Sequence, residues 1–239
     1  VYTIKEEKAM TKIREITMEY VNKFHKLIDE FDSVTCAASD CMGRVNTMSP
    51  QIRPESKPVR MAGCALTAKT VGGDISAVIY AIENAQKGDI IVVDSHGYLN
   101  SAYWGENLCL SAINKGVSAA IMEGACRDIE EIRKLGFPIY SIGTCCNVGQ
   151  ISGYGAIKVP ISCGGVQVNT YDVVLIDGNG IVVIPYEDLE TVYEKTKKMM
   201  DTETNVSDKL KAGETIGHLI NIEKLMKSTF NYQEKALEE

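Results

Sequence analysis

The sequence predicts an α/β domain with a strand-rich second half and helices flanking it at both ends, and three observations carry that expectation. Between Ile75 and Glu123, helical apolar periodicity alternates with short runs of the buried-strand type. From Ile139 to Ile184 the apolar runs are brief and separated by turn residues, the pattern of an antiparallel meander. Both ends carry charged stretches whose apolar residues recur every three or four positions, as in amphipathic helices.

Taken in order, Lys5 to Phe31 sets Ile13, Ile16, Tyr20, Phe24 and Leu27 on one helical face. A shorter helix is expected over Thr35 to Met42, then a loop bearing Pro and Arg from Ser49 to Pro58 and a strand over Val59 to Thr70. Helices over Ile75 to Ala85 and Glu106 to Lys115 alternate with strands over Asp89 to Asp94 and Ala119 to Glu123. A short helix at Asp128 to Leu135 precedes strands over Ile139 to Ile142, Ile157 to Ile161, Val166 to Val168, Val173 to Ile176 and Ile181 to Ile184. Helices over Glu187 to Met200, Glu203 to Lys211 and Ile220 to Lys227 close the chain. The expected organisation is an N-terminal amphipathic helix over 1–32, an α/β domain over 33–200 and a helical extension over 201–239 that packs at a subunit boundary.

Composition narrows the function classes. With 239 residues, 45% hydrophobic, the chain suffices for one substantial core. Its apolar runs fall far short of the roughly twenty residues that cross a bilayer, so no membrane partner is expected. Lys5, Glu6, Glu7 and Lys8 occupy the place of a signal peptide's apolar core, which leads us to expect a cytoplasmic protein. A formal charge of −7 argues against a phosphate-tracking surface, hence no nucleic acid. Eight cysteines without a Cys-x-x-Cys pair suggest reduced, mostly buried thiols. With only three histidines, any metal is expected on carboxylates and water, as Mg²⁺ or Mn²⁺.

Two segments carry chemistry. Gly105-Glu106-Asn107-Leu108 opens a helix, and the unpaired amides and partial positive charge of a helix start can hold a small carboxylate or phosphate. Taken alone, these residues read better as a loop end at Gly105 whose Glu106 complements the helix dipole. Strand Ala119 to Glu123 leads into Gly124-Ala125-Cys126-Arg127-Asp128, and in an open α/β sheet both strand ends face one crevice. There Arg127 can bind a carboxylate or a developing enolate with its planar fork, and Asp128 can hold a hydrated cation. The bland alternative is a capping Asp128 beside a surface Arg127. Asp94-Ser95-His96 has the residue types of a hydrolase triad, but neighbours on an extended chain point in opposite directions. Asp177-Gly178-Asn179-Gly180 reads as a hairpin turn rather than a calcium loop, and Gly153-x-Gly155 lacks the third glycine of a dinucleotide fingerprint.

Together with Ser39-Asp40-Cys41-Met42-Gly43, Cys163-Gly164-Gly165-Val166 and Asp177 to Pro185, these segments resemble the family that includes 4-hydroxy-4-methyl-2-oxoglutarate aldolase and the regulator of ribonuclease E activity A, over roughly Ser33 to Gly213. The resemblance implies a three-layer α/β/α domain of the swivelling type in a homotrimer or homohexamer, with sites between subunits. It implies a pyruvate carboxylate on the amides of Gly105, Glu106, Asn107 and Leu108, an enolate steadied by Arg127, and a metal at Asp128. Glu106 falls near the metal's water shell, and Glu203 matches a carboxylate contributed by a neighbouring subunit. The implied activity is a class II aldolase releasing pyruvate from a 4-hydroxy-2-oxo acid, with oxaloacetate decarboxylation through the same enolate; the rival is a non-enzymatic protein that binds ribonuclease machinery. A methyltransferase ranks last, since no glycine-rich cofactor loop precedes an acidic ribose-binding residue. The turn Asn169-Thr170-Tyr171-Asp172 departs from the Pro-Gly-Asp of many relatives.

Overall fold

The computed structural model describes residues 4–230, and side-chain surroundings for residues 8–228. Two compact units divide within a helix, at Lys197 and Lys198.

The first unit opens with α1 (Ile4–Glu30) and α2 (Val34–Cys41), followed by β1 (Arg53–Pro54) and β2 (Met61–Lys69). Next come α3 (Ser76–Asn84), β3 (Asp89–Asp94), β4 (Ala102–Trp104), α4 (Glu106–Lys115), β5 (Ala119–Met122), β6 (Ala125–Cys126) and α5 (Ile129–Leu135). Then follow β7 (Ile139–Ser141), β8 (Gly143–Thr144), β9 (Ala156–Ile157), β10 (Ile161–Cys163), β11 (Val166–Val168), β12 (Val173–Asp177) and β13 (Gly180–Ile184). The long helix α6 (Leu189–Lys211) begins in this unit and ends in the second, which also holds α7 (Ile216–Leu219) and α8 (Ile222–Phe230).

The main sheet is mixed, in the order β1-β7-β5-β3-β2-β12-β13, with β9 added beside β2. Strands β2, β3, β5 and β7 run parallel, each joined to the next through a helix, whereas β12 and β13 are antiparallel to their neighbours. Strand period decides what each face buries. Leu66, Ala68, Ile91, Val93, Ala120 and Met122 pack beneath α3, α4 and α5. On the same face, Ala62 pairs with Leu175, and both pack with Phe24, Leu27 and Val34 of α1 and α2. The alternate residues Ala65, Ile90, Val92 and Ile121 face the other way, against the β10–β11 hairpin and Met48 and Ile52. The helices therefore form one layer, and a hairpin and loop close the opposite face of a curled sheet.

The mixed α/β architecture is as expected, and several details differ for physical reasons. The buried stripe of α1 keeps Phe24 and Leu27 of the expected face and adds Thr17, Val21 and Ile28, with Ile13, Ile16 and Tyr20 only half-buried; Thr17 donates its hydroxyl to the Tyr171 carbonyl at 2.8 Å. The strand expected over Ile157 to Ile161 is split: Lys158 is left-handed (φ 58°) and Pro160 has no amide to offer a ladder. The helices expected over Glu187 to Met200 and Glu203 to Lys211 are one continuous α6, since no Gly or Pro interrupts them. The turn at Asp177 is a hairpin, with Asp177 facing Gly180. The Asp177 carboxylate also accepts the Thr35 amide and hydroxyl at 3.1 and 2.7 Å, tying α2 to the turn.

Phe24 is fully buried and meets Tyr193 edge-on, with centroids 5.3 Å apart at 86°. Phe24→Ala is expected to cost about 3–5 kcal/mol of stability, read as a lower urea midpoint at unchanged slope.

Candidate functional site

A second, smaller sheet builds the site. Strands β4, β6 and β8 lie parallel in that order. Being only two or three residues long, they lie below the length at which alternation can be read from sequence. Beyond the last paired residues, the Arg127 amide donates to the Trp104 carbonyl at 2.9 Å. That bond sets the loop after β6 beside the loop after β4, so the structure brings Gly105, Glu106, Arg127 and Asp128 together.

Gly105 is the N-cap of α4, with extended backbone (φ −152°, ψ −172°) that any residue adopts. What demands glycine is space. A Cβ there would stand 2.5 Å from Asp128 Oδ2, 3.3 Å from Arg127 Cγ and 3.4 Å from Arg127 Nε. Asp128 is left-handed (φ 58°, ψ 44°), a conformation costing about 1–3 kcal/mol outside glycine. Its Oδ2 accepts the Glu106 amide at 3.1 Å and lies 3.6 Å from Arg127 Nε. Asp128 thus serves as the side-chain cap that Gly105 cannot supply to α4.

These residues border a cavity of about 200 Å³. Arg127 and Asp128 stand beside the first turn of α4 at Gly105, Asn107 and Leu108, while Trp104, Ile75, Ile79, Val148 and Ile151 form the walls. Trp104 stacks on Phe137 at 6.0 Å and 7°, which fixes the wall at the base of the helix. Of the residues whose amides are expected to cradle a carboxylate, Glu106 has its amide engaged by Asp128, and Gly105, Asn107 and Leu108 line the cavity. The Glu106 side chain is half-buried and does not line the cavity. Glu203 is exposed on α6 in the second unit.

The divalent cation implied by the resemblance has a narrow set of donors. Among the described residues, no three His, Cys, Asp or Glu side chains converge. Asp128 is the carboxylate at the cavity, its side chain 37% exposed and its contacts on Oδ2. One carboxylate with substrate oxygens and retained waters fits Mg²⁺ or Mn²⁺; it does not fit tetrahedral zinc.

Neighbouring groups are spent structurally. Ser95 is fully buried and donates to the Glu123 carbonyl at 2.8 Å, while Asp94 Oδ1 takes the His96 amide at 3.0 Å, so the three residues form no triad. A larger hollow of about 880 Å³ lies along α1, where Arg14 is already paired with Asp89 at 2.6 Å. Burial pushes the Cys109 thiol up to about 12 and that of Cys126 up to about 11, so both are packing groups at neutral pH.

The RraA-like family model, described as Aldolase/RraA, matches residues 35–183. A Halalkalibacterium halodurans protein named provisionally as a 4-hydroxy-4-methyl-2-oxoglutarate aldolase is 34% identical over 172 residues, covering 72% of this chain and 82% of its own. The solved structure of the RNA-processing inhibitor RraA from Thermus thermophilus is 27% identical with a TM-score of 0.57, covering 62% of this chain and 89% of its own. A Pseudomonas syringae structure shares the fold over 84% of this chain and 96% of its own, with a TM-score of 0.70 at 20% identity.

Two measurements check this geometry. Gly105→Ala should lose about 1–3 kcal/mol in urea unfolding through overpacking, whereas Gly178→Ala, with open space at its Cβ, should stay within about 0.5 kcal/mol. N-ethylmaleimide at pH 8 should label exposed Cys146 and leave Cys109 and Cys126 unmodified by peptide mass mapping, unless the protein is first unfolded.

Proposed function

Because the chain belongs to the RraA-like family, we propose that it is a divalent-metal-dependent carbon–carbon lyase that cleaves a 4-hydroxy-2-oxo acid and releases pyruvate through its enolate. The observation that carries this reading is the close approach at Gly105, which aligns a guanidinium, a carboxylate and the amide end of a helix on one small cavity.

In the proposed mechanism, the amides of Asn107 and Leu108 hold the substrate carboxylate at the positive end of α4. Arg127 directs its N–H groups at the 2-oxo oxygen and shares the charge that grows there as the C3–C4 bond breaks. A Mg²⁺ or Mn²⁺ held by Asp128 would supply Lewis-acid polarisation of the same carbonyl. Glu106, through one water, receives the 4-hydroxyl proton; Glu203 is the other proposed carrier, contributed by a second copy in a homotrimer or homohexamer. Apolar walls at Trp104 and Leu108 limit water, so C3 is reprotonated only as pyruvate forms. Oxaloacetate would yield the same enolate by losing CO₂ in place of the carbonyl fragment. No lysine is needed to form a Schiff base.

A second reading is favoured by the likeness to an RNA-processing inhibitor: a binding protein that acts on a ribonuclease without turnover. The two separate on one experiment. Pyruvate release from a panel of 4-hydroxy-2-oxo acids and oxaloacetate should require Mg²⁺ or Mn²⁺, stop with excess chelator, and fall about 10²–10³-fold in kcat for Arg127→Ala. No release from any of these compounds with either metal, together with a stable ribonuclease complex, would establish the binding role instead.

A further inference from the structure

One buried carboxylate joins three walls of the cavity. Asp74, only 3% exposed, directly precedes Ile75, which lines the cavity together with Ile79 of α3. Its Oδ1 accepts the Ser76 amide at 2.7 Å, at the first residue of that helix. Its Oδ2 accepts the Ser152 amide at 2.9 Å, one residue beyond the lining Ile151. On its other side, the Gly73 amide donates to the Tyr103 hydroxyl at 3.0 Å, beside Trp104 of the third wall. Burial raises the cost of the Asp74 charge, but the amides of Ser76 and Ser152 outweigh it and hold the carboxyl below its ordinary range.

The segment over 147–155 needs such an anchor. Of its residues Gly149 alone is buried, so it draws little from the core. Backbone bonds fix its start: Ala102 donates to the Asn147 carbonyl at 2.7 Å, and Gly149 to the Ala102 carbonyl at 3.2 Å. Gln150 then donates to the Gly73 carbonyl at 2.7 Å, and Ile75 to the Gln150 carbonyl at 2.9 Å. Its far end runs into β9, which pairs with β2. Between these two ends the attachments are side chains, Asp74 for the Ser152 amide and Ser76 Oγ for the Gly153 amide at 2.8 Å. Both flanks pack without slack, since a Cβ on Gly149 would stand 2.7 Å from Ile75 Cγ2 and one on Gly155 2.7 Å from Ala77 Cβ. All of these contacts lie within one copy of the chain, so they hold this wall whatever a neighbouring subunit adds to the site.

From this arrangement we infer that Asp74 is a positioning residue for substrate binding: its carboxylate latches the segment over 147–155 onto the start of α3, and with it the wall that shares the cavity with Arg127. The inference deepens the lyase reading above and rests on it for the reaction concerned. Arg127 and Asp128 are placed independently of the latch, through the Trp104 carbonyl and the Glu106 amide. Loss of the latch therefore weakens the hold on the substrate and leaves the reacting groups where they are.

The test compares the unaltered protein with Asp74→Asn, which puts a donor where one amide needs an acceptor, and with Ser76→Ala, which spares Asp74 and removes the bond to Gly153. Pyruvate binding in the presence of Mg²⁺ is read by titration calorimetry, and cleavage of 4-hydroxy-4-methyl-2-oxoglutarate by pyruvate release. Asp74→Asn should weaken pyruvate binding and raise KM about tenfold each, with kcat within about threefold. Ser76→Ala should move both in the same direction by less. Chymotrypsin cleavage after exposed Tyr154, mapped by peptide mass, should quicken in both variants. Unchanged affinity and KM in both variants would overturn the inference, as would a fall in kcat and in the urea midpoint with KM unmoved, the mark of a residue that merely starts α3. Weaker pyruvate binding in the variants without pyruvate release by any of the three proteins would support the positioning role and overturn the lyase reading. Absence of pyruvate binding by the unaltered protein would overturn both.

Discussion

Everything at the cavity depends on a contact that only a missing side chain permits. The Asp128 carboxylate lies where a Cβ on residue 105 would be, and its Oδ2 accepts the amide of Glu106. This one approach caps the start of α4, with Asp128 in its left-handed conformation and the Arg127 side chain against the loop. A helix start that bound anions unaided would be a generic device. Here a neighbouring acid occupies the amide of Glu106, so negative charge from the protein itself already sits at the positive end of the helix. Arg127 offsets that charge, with its Nε 3.6 Å from Asp128 Oδ2, which is the electrostatic sense of finding an arginine and a partly exposed carboxylate side by side.

The large sheet acts on this site at one remove. Its parallel strands bury both faces, and α3, α4 and α5 cover the side carrying Leu66, Ile91 and Met122. Helix α4 therefore points its first turn according to how its far end packs, since Cys109 and Ala112 are fully buried against the sheet. The three short strands β4, β6 and β8 translate that position into the spacing of the two loops at the cavity. Rigid elements thus aim the groups, while the apolar segment over 147–153 is held by hydrogen bonds to residues 73–76 and 102.

Much of the main sheet was legible because its elements are long enough to show a period. Strand Asp89–Asp94 and helix Glu106–Lys115 have the limits that the residue pattern suggests. The small sheet was not legible, since two residues cannot alternate and the Ala125–Cys126 pair carries no propensity of note. Arg127 and Asp128 were placed near Gly105 on the general rule for strand ends; their separation, and the reason for the glycine, came only from the geometry. The pattern suggested a helix start with open amides, whereas the space a Cβ at residue 105 would take is bounded by Asp128 and Arg127. The cavity's aliphatic walls lay beyond reach for a different cause: Ile75, Leu108 and Ile151 come from three segments that no local pattern connects.

The pairing of β2 with β12 has a consequence for how the chain must be made. Met61 lies opposite Ile176, and Cys64 opposite Val173, so the middle of the sheet is closed by a strand that arrives late in synthesis. Until then β2 has one bonded flank and one bare row of amides and carbonyls, with apolar Ala62 and Leu66 on its surface. A nascent chain held at that stage resembles an open edge, able to recruit a strand from another molecule before its own appears. Long-range closure of this sort also slows folding relative to the local βαβ units that precede it. The arrival of β12, rather than the formation of the parallel strands, therefore sets when the middle of the sheet becomes secure.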